Sequence, residues 1–131
     1  MTKNFILSAS FFAVAVLAPK LSSGTVYTVT TSQNWSAFSP QPTSADSVKV
    51  KNNTILTVDV SAGTAACIQL GLGTPTAGNG TLRFNSGKQV TVGGAVVIGN
   101  GTQTGTIDMT NGGTLIAVSL TAGSRRPRVV P

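Results

Sequence analysis

Asp46, Asp59 and Asp108 are the only acidic side chains in the 131 residues; Glu and His are absent. Ser-His-Asp and Cys-His nucleophilic sets, His-based metal sites and the paired glutamates of glycosidases are therefore unavailable. Any acid–base or ligand chemistry must be built from Asp together with Lys or Arg. Asp108 sits in the triplet Ile107-Asp108-Met109, which has the same apolar-charged-apolar form as Val48-Lys49-Val50 and Leu82-Arg83-Phe84. If the triplets lie on stacked strands about 4.8 Å apart, Lys49, Arg83 and Asp108 share one outward row, with Arg83 beside Asp108 as an ion pair. Arg83 and Asp108 are candidate ligand-binding residues on that ground. Trp35 and Tyr27 are the other two, because an aromatic ring in a polar segment can serve as a platform for a sugar. The competing reading makes Trp35 a plug over the end of a core. No metal or cofactor site is expected.

Cys67 is the only cysteine, so no intramolecular disulfide can form. Alternation along Ala66-Cys67-Ile68-Gln69-Leu70 puts Ile68 and Leu70 on one face and Cys67 with Gln69 on the other. With no cation beside it to lower its pKa, Cys67 reads as a small packed hydrophobe. The glycine-rich stretches Gly71-Leu72-Gly73, Gly93-Gly94 and Gly99-Asn100-Gly101 precede no helix and lack the Lys-Ser/Thr of a phosphate loop. They read as corners. Asn34-Trp35-Ser36, Asn52-Asn53-Thr54, Asn79-Gly80-Thr81 and Asn100-Gly101-Thr102 fit the glycosylation pattern, but they are also what sharp turns require.

The formal charge is +6, yet it lies mostly at the two ends: Lys3 and Lys20 near the start, Arg125, Arg126 and Arg128 in the last seven residues. Between Thr25 and Ser124, Lys49, Lys51, Arg83 and Lys88 stand against three Asp, a balance of 4 − 3 = +1. That is too little for a surface that tracks phosphates, and nucleic acid is not an expected partner.

The elements that must position these residues are strands. Fifteen glycines and only 9% charged residues, with abundant Thr, Val, Asn and Ser, favour short strands joined by frequent turns and exclude an all-α chain. Residues 1–24 have the order of a secretory signal: Lys3, then an apolar run over 5–18, then a small-residue exit, with cleavage expected after Gly24. Fourteen helical residues rise about 21 Å, short of the roughly 30 Å hydrocarbon core, so no stable transmembrane helix is expected after cleavage. The product would be secreted or held at the cell surface.

Residues 47–58 align without a gap on 81–92, an offset of 82 − 48 = 34, and a third copy over 106–117 follows at 107 − 82 = 25. Each copy reads as two short strands and a corner, closed by a further apolar pair: Ile68 and Leu70, Val96 and Ile98, Val118 and Leu120. The stretch 72–79, with Pro75, reads as a protruding loop. Units of this kind cannot bury an apolar face alone, and stacking them makes a continuous core. The expected fold is all-β, a short parallel β-helix (β-solenoid) of about three coils over 48–123. An N-terminal cap strand and linker over 25–47 would carry Tyr27, Trp35 and Phe38, and an unstructured basic tail would occupy 124–131.

Asn34-Trp35-Ser36, the run from Pro42 to Val50, Gly80-Thr81-Leu82 and Gly113-Thr114-Leu115 resemble the repeats of exported bacterial β-helical surface proteins, such as autotransporter passengers and large adhesins. The resemblance covers about 26–122. It implies a non-enzymatic structural or adhesive protein whose partners are glycans or other surface proteins. Two alternatives stay open. One is a carbohydrate-binding module using Trp35 and the 72–79 loop; the other is a polysaccharide lyase-like β-helix, a class that sets acids with Lys or Arg in rows. Proteins of this kind are usually longer, which implies a fragment; a chain that stopped here would leave an uncovered last coil, open to end-to-end self-association.

Overall fold

The computed structural model describes residues 24–73 and 78–123. Residues 1–23 of the expected 1–24 leader, residues 74–77 of the expected 72–79 loop and the expected tail over 124–131 lie outside the described residues.

Among the described residues ten strands follow one another with one 3₁₀ turn, Trp35–Ala37, between the second and third. They are β1 Val26–Val29, β2 Gln33–Asn34, β3 Ser47–Val50, β4 Thr54–Val58, β5 Ala65–Cys67, β6 Gln69–Leu72, β7 Gly80–Phe84, β8 Gln89–Ile98, β9 Gly105–Asp108 and β10 Thr114–Ala122. Every pairing is parallel. The chain winds as a β-solenoid with three faces. The first face stacks β1, β3, β6 and the second halves of β8 and β10; the second stacks β2, β4, β7 and β9. The third stacks β5 on the first halves of β8 and β10. β8 and β10 each turn a corner within one strand, and β10 carries a register shift there, between Ala117 and Ser119.

The parallel solenoid is the expected fold, but it has about four turns where the sequence suggested about three. The added turn is the segment read as a cap. Val26–Val29 pairs in register with Ser47–Val50, and Gln33 and Asn34 pair with Leu56 and Thr57, so the segment is itself a first coil.

The repeat alignment also changes. Val48 stacks on Leu70, and Leu70 on Val96, while Leu82 stacks between Leu56 and Ile107. The 25-residue step from Leu82 to Ile107 is therefore a true turn of the coil. The 34-residue step joined strands on two different faces. Lys49 consequently leaves the row assigned to it: its neighbours are Thr28 and Gly71, whereas Arg83 lies between Thr57 and Asp108.

Alternation fills the interior in layers, since every second residue of each short strand points inward. The second layer is Val48, Val50, Leu56, Val58, Ala65 and Cys67; the third is Leu70, Leu72, Leu82, Phe84, Val90 and Val92, and all are buried. Cys67 faces inward with Leu70, not with Gln69, because the corner at Ile68 falls between β5 and β6 and resets the alternation. The first layer is aromatic. Trp35 follows Asn34 and continues the Val58–Phe84 column, and it meets Phe38 edge-on at 5.7 Å between ring centroids; Phe38 meets Tyr27 edge-on at 5.3 Å. These are the favoured geometries for aromatic pairs.

Corners carry their own ladder. Asn52 and Asn53 both take positive φ, at 61° and 59°, a region that Asn tolerates better than most residues. The Asn53 side-chain oxygen accepts from the amide of Asn79 one coil on, and that of Asn79 accepts from the amide of Thr104 on the next, at 3.3 and 2.7 Å. Ser32 performs the same service for the Ile55 amide at 2.9 Å. Amides that the turn leaves without a ladder partner are thereby satisfied from the preceding coil.

Candidate binding surfaces of the coil

The four candidate ligand residues divide into two separate groups. Trp35 and Tyr27 belong to the first core layer. Trp35 has no solvent exposure, so no face of its indole is open to a sugar, and Tyr27 is half-buried against Phe38. The indole Nε1 has no hydrogen-bond partner, as expected of a ring chosen for bulk. Arg83 and Asp108 sit outside, side by side on the second face, with Arg83 Nε donating to Asp108 Oδ2 at 2.8 Å. Their column reads Asn34, Thr57, Arg83, Asp108 along the coil axis. A shallow depression of about 220 Å³ lies beside Arg83, bounded by Ser32, Gln33, Asn34, Ile55 and Thr57.

Each of the three carboxylates ties one coil to the preceding one. Asp46 accepts from the Thr25 amide at 2.7 Å and from both the amide and the hydroxyl of Thr43 at 2.7 Å. Asp59 accepts from the amide of Ser36 at 3.0 Å and from its hydroxyl. Asp108 takes Arg83 on one oxygen and the amide and hydroxyl of Thr110 on the other. All three are held below the ordinary carboxylate range. For Asp46 the Thr43 hydroxyl is the leading cause, followed by the Thr43 and Thr25 amides. For Asp59, partial burial pushes the pKa up, and the Ser36 bonds, with the charge of Lys88, outweigh it. For Asp108, the Thr110 hydroxyl and then Arg83 bring the pKa down to about 2.

The pH dependence of stability follows from these directions. Unfolded, the three carboxyls titrate near 3.8; folded, they hold their charge to lower pH. Between those limits the unfolded chain binds more protons, so lowering the pH favours unfolding. We expect a thermal midpoint that is level above about pH 5 and falls steadily from pH 4 to pH 2. Replacing all three Asp by Asn should flatten that fall. A midpoint unchanged at pH 2 in the parent protein would show that the carboxylate clasps contribute nothing.

Cys67 is buried and free. Burial, with a smaller push from the charge of Asp46, raises its pKa to about 12, so it stays a thiol at any physiological pH.

One surface that the sequence did not point to lies on the first face. Its outward column is Thr28, Lys49, Gly71, Val97, Thr121. Gly71 has no side chain, so the column drops to the backbone between Lys49 and Val97. The result is a groove of about 430 Å³, flanked by Lys49, Lys51, Ser47, Gln69, Thr28 and Asn100. The signal was present in the sequence as a glycine between two inward leucines, Leu70-Gly71-Leu72. It became readable only once Gly71 was known to stack on Lys49.

No family model matches the chain, and no curated protein or solved structure is significantly similar to it. The likeness to exported β-helical surface proteins therefore rests on the residues quoted above and on the solenoid fold, and a fold carries no activity by itself.

Proposed function

We propose that this chain is an exported, non-enzymatic β-solenoid with a structural or adhesive role in a secreted or cell-surface setting. The observation that carries the reading is the use of its carboxylates. All three aspartates are bonded across neighbouring coils, in a protein with no His and no Glu, which favours a structural over a catalytic use of its acids. Three stacked faces of mixed outward columns on a regular coil suit display and contact rather than turnover.

The far end of the coil supports an adhesive role as well. Among the described residues nothing pairs with the outer edges of β9 and β10, and Val118, Leu120 and Ile116 are 78%, 61% and 47% exposed. An open parallel edge flanked by apolar side chains is a template for another copy or another surface protein.

Two measurements test the reading together. The full chain, expressed in a bacterial host, should be recovered outside the cytoplasm with Thr25 as its first residue, and incubation with polygalacturonate should release no unsaturated product absorbing in the ultraviolet. Retention in the cytoplasm with residues 1–24 intact would overturn the export reading, and a rising absorbance would overturn the non-enzymatic one.

A further inference from the structure

We infer that the groove over Gly71 is a binding site for an acidic polysaccharide, with Lys49 and Lys51 as the residues that hold its carboxylate or sulfate groups. The inference rests on the adhesive reading above and names the partner class. Lys49 points outward from β3 and Lys51 follows at the corner. Along a strand, residues two apart are separated by about 6.6 Å, so the two ammonium groups can reach neighbouring anionic groups of one ligand.

Among the described residues neither Lys49 nor Lys51 is in an ion pair. The one ion pair among the described residues is Arg83–Asp108, on another face. Asp46, next to Ser47, keeps its charge but directs both oxygens to Thr25 and Thr43 and forms no ion pair with either lysine. Two cations beside a notch, neither of them ion-paired, form a local positive field in a chain whose described coil is nearly neutral.

The rest of the lining selects among polyanions. Ser47, Thr28, Gln69 and Asn100 offer hydroxyls and amides, groups that pair with sugar hydroxyls in either direction. Among the described residues no aromatic side chain borders the groove, so they offer no platform for bases, and two lysines are too few to track a phosphate backbone. Gly71 removes one side chain from the outward column, so a sugar ring can approach the backbone between Lys49 and Val97.

Affinity electrophoresis of the full chain at about 150 mM salt, where surface charges are screened beyond roughly 8 Å, tests the site. Gels would contain polygalacturonate, dextran sulfate, neutral dextran or single-stranded DNA. The expected result is retardation by polygalacturonate, dextran sulfate or both, and none by neutral dextran or DNA. The K49Q/K51Q variant should bind at least tenfold more weakly with an unchanged thermal midpoint, while R125Q/R126Q/R128Q should be retarded like the parent. Retardation by the carboxylated polymer alone or the sulfated one alone tells which anionic group is read. The inference is overturned if neither acidic polymer retards the chain, if K49Q/K51Q is retarded as strongly as the parent, or if the same lysines bind DNA equally well. None of these outcomes alters the export or product measurements, so the adhesive reading and this site can fail separately.

Discussion

Trp35→Ala is expected to cost about 3–5 kcal/mol, a loss comparable with the whole stability of a small domain. Trp35 is the largest fully buried side chain, and it stacks on the column that runs through Val58 and Phe84. Removing it also withdraws the edge contact with Phe38, which in turn supports Tyr27. On the second face the first coil is held by a strand of only two residues, β2, so the packing of Trp35 matters most there. Thermal or denaturant unfolding of Trp35→Ala, compared with Trp35→Phe, checks the point. Phenylalanine should recover a large part of the loss because the vacancy is one of volume and the indole N–H makes no bond. A variant that keeps the parent's midpoint but loses retention on a glycan would instead make Trp35 a sugar platform.

Gly80→Ala should be nearly as damaging, for the opposite reason. Gly80 begins β7 and pairs with Thr54 before it and Gly105 after it. A Cβ at this position would stand 2.0 Å from the carbonyl oxygen of Val50 and 2.8 Å from the amide nitrogen of Gly73. Both are backbone atoms fixed in the corner, and Gly73 itself donates to Val50 there at 3.0 Å. Overpacking a core side chain typically costs about 1–3 kcal/mol, and a clash with backbone that cannot rotate away belongs at or above the top of that range. Thr81→Ala, one residue on and facing outward, is the control; it should stay within about 0.5 kcal/mol of the parent. Equal midpoints for Gly80→Ala and Thr81→Ala would mean that the corner does not pack as described.

The sequence made the architecture legible but not its phase. Inward and outward positions alternate on every face, so Val48-Lys49-Val50 on the first and Leu82-Arg83-Phe84 on the second are the same triplet physically. An alignment of triplets has no means of telling one face from the next. The pair Leu82 and Ile107 came out in true register because both lie on the second face. Corners caused the second error. Ile68 occupies the bend between β5 and β6, and a corner residue breaks the period-2 rule that put Cys67 on the same face as Gln69 and opposite Leu70.

The first coil was hidden for a different reason. Its return from the 3₁₀ turn to β3 runs through Phe38, Pro40 and Pro42 without an alternating triplet, so a real rung looked like a linker. The aromatic first layer was readable because Tyr27, Trp35 and Phe38 are the bulkiest residues near the start of the coil. The Arg83–Asp108 pair was readable too, since both members belong to triplets 25 residues apart. The Lys49 groove was not, because a site defined by a missing side chain depends on which residues are stacked above and below it.

Rung-by-rung stacking of the coils is the central claim, and cysteine cross-linking on the second face, where the Arg83–Asp108 clasp depends on it, tests it most directly. In a Cys67→Ala background, Thr81→Cys with Thr106→Cys places two outward thiols on paired residues of adjacent strands. Adjacent strands lie about 4.8 Å apart, within the span that a disulfide or a short bis-methanethiosulfonate bridge can close. The account predicts rapid intramolecular bridging of 81 with 106 and none of Lys49→Cys with Arg83→Cys, which lie on different faces. Bridging of 49 with 83, without bridging of 81 with 106, would contradict it.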